Sequence, residues 1–138
     1  MYILDEEYLQ IEAKENKLIY YTEIDIIPTD KQFEKIKSSL INYFTAIEKT
    51  KKKFYQIMKI DNATISSIYN YTTVIKWICN FFSTQHHIFD HYLKCTIIII
   101  DNAFIKGSIN LVLKAYEPSR PIHFITDLDE IDDLLALY

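Results

Sequence analysis

The chain has 138 residues, 49% hydrophobic and 25% charged, with a formal net charge of -4 at pH 7. These values are typical of one globular domain, exclude extensive disorder and argue against general binding to nucleic-acid phosphates. Fully apolar runs such as residues 97–100 are too short to cross a bilayer, and no secretory signal is recognisable, so we expect a soluble, cytoplasmic protein. Abundant isoleucine, lysine, tyrosine and asparagine indicate the coding bias of an AT-rich genome.

The first predicted elements are a β-hairpin and a long helix. Residues 8–13 alternate apolar and polar side chains, residues 18–25 are rich in β-formers, and "KENK" between them supplies a turn. Thr29 and Gln32 then have the spacing of a capping box, which predicts a helix start. Apolar residues at three- and four-residue spacing predict its buried stripe: Phe33, Ile36, Leu40, Phe44 and Ile47. The lysine cluster of Lys49, Lys51, Lys52 and Lys53 is expected to end this helix.

The rest of the chain reads as repeated units of strand and helix. Strands are predicted at 54–60, 95–100 and 122–126, and helices at 66–82, within 83–94, at 103–116 and at 127–137, the last capped by Thr126. The run "TIIII" is typical of a central parallel strand that is buried on both faces. The order ββαβαβαβα therefore predicts one α/β domain over residues 1–138, a mixed sheet of about five strands covered by helices.

Polar pairs follow two of these strands. Asp61 and Asn62 come after the strand at 54–60, and Asp101 and Asn102 come after the central strand. Such residues are common helix caps, which is the favoured interpretation. The alternative is that Asp61 and Asp101 meet at the carboxyl ends of parallel strands, where α/β proteins bind ligands, and hold a magnesium ion.

Most enzymatic patterns are missing. A phosphate-cradling loop needs several glycines, whereas the chain has only Gly107. Ser66 and Ser67 lie at a predicted helix start without the flanking glycines of a nucleophile elbow. No group of residues here supports an enzyme, so a protein without catalytic activity is the favoured interpretation, and no cofactor is predicted.

Histidine and cysteine give only weak indications of a metal site. His87 and His91 are four residues apart, a spacing compatible with zinc, but a solvated helix end is the favoured interpretation. Cys79 and Cys95 lie in apolar segments and are expected to be reduced core residues. No metal site is predicted.

The segment "KIDNATISSIYNY", residues 59–71, together with the element order, resembles the STAS domain (sulfate transporter and anti-sigma-factor antagonist). In that family a strand ending in aspartate leads into a loop and helix with a regulatory serine or threonine. The resemblance assigns the strand end to Asp61 and the candidate hydroxyls to Thr64, Ser66 and Ser67, although the family's Asp-Ser-x-Gly box is absent. Residues 109–131 also resemble the closing segment of the related Sec14-like lipid-binding fold.

The resemblance implies a non-enzymatic regulatory or protein-interaction module with a protein partner, and self-association is a further expectation. Ser66 and Ser67 are the candidate phosphorylation sites. Two alternatives stay open. The first is a protein that uses Asp61 and Asp101 to bind a small ligand or nucleotide, either as a binding protein or as an enzyme. The second is a peripheral lipid-binding module that uses the lysine cluster. The expected contact surface comprises Asp61, Asn62, Thr64, Ser66, Ser67, Asp101 and Asn102.

Overall fold

A computed structural model describes residues 1–22, 27–60 and 68–138. The strands are β1 (Tyr2–Glu6), β2 (Leu9–Lys14), β3 (Lys17–Thr22), β4 (Phe54–Ile60), β5 (Leu93–Ile99) and β6 (Ile122–Ile125). The helices are α1 (Asp30–Thr50), α2 (Ile68–Ser83), α3 (His86–Tyr92), α4 (Ala103–Tyr116) and α5 (Ile131–Leu135), with a 3-10 turn at Leu128–Glu130 before α5.

The strands form one mixed sheet in which spatial order equals chain order, β1-β2-β3-β4-β5-β6. The first three strands pair antiparallel, and β3, β4, β5 and β6 run parallel. Because each parallel strand lies beside its predecessor, every helical crossover advances in the same direction across the sheet. The predicted α/β fold with a mixed sheet is confirmed.

The two faces of the sheet are covered unequally. Helices α1 to α4 pack on one face and share with it the larger hydrophobic core, which includes Leu18, Phe44, Phe54 and Ile98. On the opposite face α5 covers β4 and β5, where Ile131 packs with a smaller cluster that includes Ile57 and Ile97. The central strand β5 is therefore buried on both faces, as its isoleucine run predicts.

Several local predictions are confirmed. Thr29 is the N-cap of α1 with both capping-box hydrogen bonds to Gln32, and the buried residues of α1 are those of the predicted stripe. Lys51 ends the helix in the left-handed conformation. The short helix expected within residues 83–94 is α3.

Three details differ from the predictions. A sixth strand, β1, pairs with β2 through a register that is interrupted between Tyr2 and Leu4. A search for alternation misses it, because its apolar residues are consecutive. In the β2–β3 turn, the residue in the left-handed conformation, with a φ of 57°, is Glu15, although Asn16 is the residue of "KENK" whose type favours a turn. The turn before α5 is capped by Asp127 instead of Thr126, because Asp127 places its carboxylate on the backbone N–H of Asp129.

None of the helices in the described ranges is both long and apolar enough to span a membrane.

Candidate functional site

A groove of about 290 Å³ opens at the edge of the sheet where β4, β5 and β6 end, called here the carboxyl-edge groove. Strand residues, a carboxylate after β5 and the segment after β6 line it together. The lining residues are Lys59, Ile60, Ile99, Ile100, Asp101, Thr126, Asp127 and Leu128.

The register of the parallel strands explains why these residues meet. Lys59 of β4 lies opposite Ile99 of β5, and Ile99 lies opposite Ile125 of β6. The three strands therefore end at one level, and the polar residues that follow them gather at one edge. Side chains alternate between the faces of a strand, so Lys59 points away from the helix-covered face where its neighbours Met58 and Ile60 are buried.

Asp101 and Asn102 have different roles. The Asn102 side-chain oxygen accepts hydrogen bonds from the backbone N–H groups of Phe104 and Ile105, at 3.0 and 3.1 Å. Asn102 is therefore the N-cap of α4, as the capping interpretation predicts. Asp101 is exposed and lines the groove, so its carboxylate is available at the strand end.

The opposite rim of the groove is held by a small set of hydrogen bonds. Asp127 accepts from the backbone N–H of Asp129 at 3.2 Å. The carboxylate of Glu130 accepts from the backbone N–H groups of Thr126 and Asp127, at 3.1 and 3.3 Å. These bonds give the rim a defined position relative to the end of β6.

The second predicted strand end lies outside the described residues. This holds for Asp61, Asn62, Thr64, Ser66 and Ser67. Ile60 directly precedes this segment and lines the carboxyl-edge groove. The pairing of Asp61 with Asp101 and the phosphorylation of Ser66 or Ser67 remain predictions.

The weak metal candidates are both on α3. The Nδ1 of His91 lies 2.9 Å from the backbone carbonyl oxygen of His87. Within the described part of the chain, no three or more histidine, cysteine, aspartate or glutamate side chains gather closely enough to hold a metal ion.

The interior cavity between the sheet and the helices of the described residues is small. A cavity of about 30 Å³ lies between the sheet and helices α2 and α4, with Gln56, Thr96 and Cys79 among its lining residues. A water molecule needs roughly 10–15 Å³ of such space. The cavity can therefore hold about two waters and has no room for an acyl chain or a nucleotide.

Both cysteines are buried and unpaired, as predicted for reduced core residues. Burial raises the pKa of the Cys79 thiol to about 12 and that of Cys95 to about 11. A thiol with so high a pKa stays protonated at neutral pH and is a poor nucleophile. Neither cysteine is suited to nucleophilic catalysis.

The sequence-based search missed three polar residues of the groove: Lys59, Thr126 and Asp127. Two signals could have found them. Thr126 and Asp127 follow β6 as Asp101 follows β5, so the same strand-end argument applies to them. Lys59 stands between two apolar residues in a strand, a pattern that predicts a side chain on the less covered face.

Comparison with protein-family models, curated proteins and solved structures gave no significant match. The resemblance to the STAS domain therefore stays a prediction, and the function has to be argued from the geometry of the groove.

Proposed function

We propose that this chain is a non-enzymatic, STAS-like interaction module that binds a protein partner at the carboxyl edge of its sheet. The observation that carries the proposal is the carboxyl-edge groove, an open surface with the carboxylates of Asp101 and Asp127 and the ammonium group of Lys59. Mixed charges on an open surface favour specific pairing with a complementary protein surface.

Two further features support this proposal. The parallel strands lie in chain order with α1 to α4 on one face, which agrees with the element order on which the STAS resemblance rests. The interior cavities that described residues line, of about 30 and 10 Å³, are too small for a ligand, which favours the outer surface as the place of recognition. A cytoplasmic location and self-association belong to the same proposal.

Site-specific photo-crosslinking tests the proposed surface. Leu128 lines the groove and is 50% exposed, whereas Leu111 on α4 is 70% exposed and lies outside it. We expect a benzophenone amino acid at position 128, in cells of the source organism, to crosslink a defined protein. The same amino acid at position 111 is the matched control.

Charge reversal provides a second test of the proposed surface. Asp101→Arg should abolish the crosslink from position 128 by placing a cation where the partner meets a carboxylate, while Lys53→Glu, at the opposite edge, should leave it unchanged. Equal crosslinking from positions 111 and 128, or an Asp101→Arg variant that keeps the crosslink, would contradict the proposal.

Regulation by phosphorylation is the second part of the proposal. A phosphate on Ser66 or Ser67 would add about -1.5 to -2 charges close in sequence to the start of α2. Mass spectrometry of protein from its native source should find this phosphate, and it should disappear after phosphatase treatment. If the peptides that contain Ser66 and Ser67 are unmodified under all growth conditions, the proposed regulation by phosphorylation is wrong.

A small ligand in the carboxyl-edge groove is the second candidate function. Its volume, about 290 Å³, is close to the lower end of the usual range for ligand sites, about 300 Å³, and α/β sheets commonly bind ligands at this edge. If Asp61 and Asp101 hold a magnesium ion there, Mg²⁺ should raise the unfolding temperature of the wild type but not of Asp101→Asn. An unchanged wild-type temperature would contradict this candidate.

A further inference from the structure

We propose that the chain forms a symmetric dimer in which strand β6 pairs antiparallel with β6 of a second copy. Among the described strands, β6 (Ile122–Ile125) is the last in the sheet and pairs only with β5. The inference rests on the proposed function only in that self-association is part of it. The surface that it assigns is the edge strand, which is separate from the carboxyl-edge groove.

The outer edge of β6 has free backbone donors and acceptors. The carbonyl oxygens of Pro121 and Ile125 accept hydrogen bonds from backbone N–H groups in and directly after β5, at 2.9 and 3.0 Å. Since alternate residues of a strand direct their backbone groups to opposite sides, those of Ile122 and Phe124 face away from β5. Pro121 has no N–H, but its backbone faces β5, so it removes no donor from the outer edge.

The side chains of β6 are incompletely covered. All of them are half-buried, with Ile122 and Phe124 against the larger core and Ile125 against the smaller one. These apolar side chains have one neighbouring strand, whereas those of a central strand have two. A further strand at this edge would cover them and would also satisfy the outward backbone groups, and both effects favour strand pairing.

The opposite edge strand, β1, is protected against such pairing, and β6 is not. Edge strands commonly avoid further pairing through charged side chains and interruptions of register. In β1 the register with β2 is interrupted between Tyr2 and Leu4, and the strand ends with the carboxylates of Asp5 and Glu6. β6 contains no lysine, arginine, aspartate or glutamate, and its register with β5 is continuous.

Two charges on α4 favour a second copy in antiparallel orientation as the occupant. The ammonium group of Lys106 lies 5.5 Å from the centroid of the Phe124 ring, which places it on the side of α4 nearest β6. Glu117 follows the end of α4, eleven positions after Lys106 and so about three helical turns later, on the same side of the helix. Within one chain the two charges are roughly 16 Å apart along the helix axis, too far to form an ion pair.

A two-fold axis through β6 brings these charges together between the copies. It places the start of one α4 beside the end of the other, so Lys106 of each copy meets Glu117 of the other. In the sheet, Ile122 of one copy lies opposite Phe124 of the other and exchanges both backbone hydrogen bonds with it. A strand from an unrelated protein could use the same backbone groups, but the charge pattern on α4 is complementary to itself.

Analytical ultracentrifugation of the purified chain tests the dimer. The wild type should sediment with twice the 16.4 kDa mass of one chain. Ile122→Pro removes the outward N–H at the first residue of β6, where an edge strand tolerates proline, and should give a folded monomer. Ile122→Ala also shortens the side chain but keeps the N–H, so this matched control should remain a dimer.

Exchange of the two charges tests the orientation of the copies. Lys106→Glu and Glu117→Lys should each raise the dissociation constant of the dimer roughly tenfold, because both symmetry-related pairs become repulsive. The double variant should restore the wild-type value. Because the two residues are too far apart within one chain to interact, such restoration requires contact between the copies.

Hydrogen exchange resolved by NMR locates the interface and reports folding. The outward amide of Phe124 should be protected in the wild-type dimer and should exchange rapidly in the Ile122→Pro monomer. The amide of Ile125 faces β5 and should be protected in both, which shows that the variant keeps its sheet.

Three results would overturn the proposal: a wild type that stays monomeric at submillimolar concentration, a dimer that survives Ile122→Pro, or a charge exchange that restores nothing. Binding of an extended segment of another protein by a monomeric wild type belongs to the first of these. The carboxyl-edge interaction is measured separately. Asp101→Arg should leave the dimer intact, and Ile122→Pro should leave the Leu128 crosslink intact, so failure of one proposal is distinguishable from failure of the other.

Discussion

Gln56 is a polar residue at the centre of the larger core, with 1% of its surface exposed. Its side-chain oxygen accepts a hydrogen bond from the Tyr20 hydroxyl at 2.6 Å, and its amide nitrogen lies 3.4 Å from the Thr96 hydroxyl oxygen. The three residues belong to β3, β4 and β5, so the network connects three neighbouring strands. A buried polar group costs stability when its partner is removed, because it has already lost its contact with water.

We expect Gln56→Leu to lower the free energy of unfolding by about 1–3 kcal/mol, because it leaves the buried Tyr20 hydroxyl without its acceptor. Adding Tyr20→Phe should restore part of this loss, since the unsatisfied hydroxyl is then absent. Urea unfolding of the single and double variants measures the coupling.

The control for this prediction is Gln10→Leu, which changes an exposed glutamine whose hydrogen bond to Asp5 lies at the surface. It should change stability by less than about 0.5 kcal/mol. Purely additive effects of Gln56→Leu and Tyr20→Phe would show that the buried hydrogen bond makes no contribution of its own.

At the scale of elements, helix α4 has a strong N-cap and one residue of low helix propensity. Asn102 caps it with two side-chain hydrogen bonds. Gly107 lies in its fifth position, and a Cβ added there would meet no atom within 4 Å. The glycine is therefore not required for packing.

Two substitutions in α4 should change stability in opposite directions. Asn102→Ala should lower the free energy of unfolding by about 1 kcal/mol through loss of the cap. Gly107→Ala should raise it by about 0.5–1 kcal/mol, because alanine loses less backbone entropy than glycine on entering a helix. Thermal unfolding measures both, and Asn102→Asp, which keeps a capping oxygen, is the matched control. Destabilisation by Gly107→Ala would show a steric restriction that the structure does not contain.

At the scale of the whole molecule, charge is distributed along the direction of the parallel strands. Lysine or arginine lies where these strands begin: Lys17, Lys53, Lys94 and Arg120. Aspartate follows β4, β5 and β6 in the sequence: Asp61, Asp101 and Asp127. Because β3 to β6 point the same way, one edge of the sheet gathers cations, while the carboxylates of Asp101 and Asp127 lie at the other. The carboxyl-edge groove lies at the second of these edges.

The whole core also determines how the protein responds to alkali. Burial raises the pKa of Cys79 from its ordinary value of 9.0 to about 12, and that of Tyr43 from 10.0 to about 12. Burial likewise raises the pKa of Tyr116 to about 12. Above about pH 9 the unfolded chain loses these protons while the folded protein keeps them.

Stability should therefore be full below about pH 9 and fall steadily as the pH approaches 12, because the unfolded state then binds fewer protons than the native state. Urea midpoints measured between pH 7 and 11 test this. Cys79→Ala should reduce the slope above pH 9, whereas a change at exposed Tyr69 to Phe should not. A midpoint that is constant through pH 11 would contradict the buried state of these groups.

Local signals in the sequence determined the elements. The capping box at Thr29, the apolar stripe of α1 and the isoleucine run of β5 each predict their own structure, because hydrogen bonds and burial within one segment depend on residues a few positions apart. The strand-end argument likewise predicts that Asp101 is exposed at a ligand-binding edge and that Asn102 caps α4. Of the seven residues in the expected contact surface, these are the two that lie in the described part of the chain.

Only the tertiary structure decided which residues from different strands become neighbours. Register across the sheet pairs β1 with β2 and brings Lys59, Asp101 and Asp127 together at one edge. It also brings Lys53, Lys94 and Arg120 together at the other edge. Register is set by the packing of whole faces against helices, and no single segment contains that information.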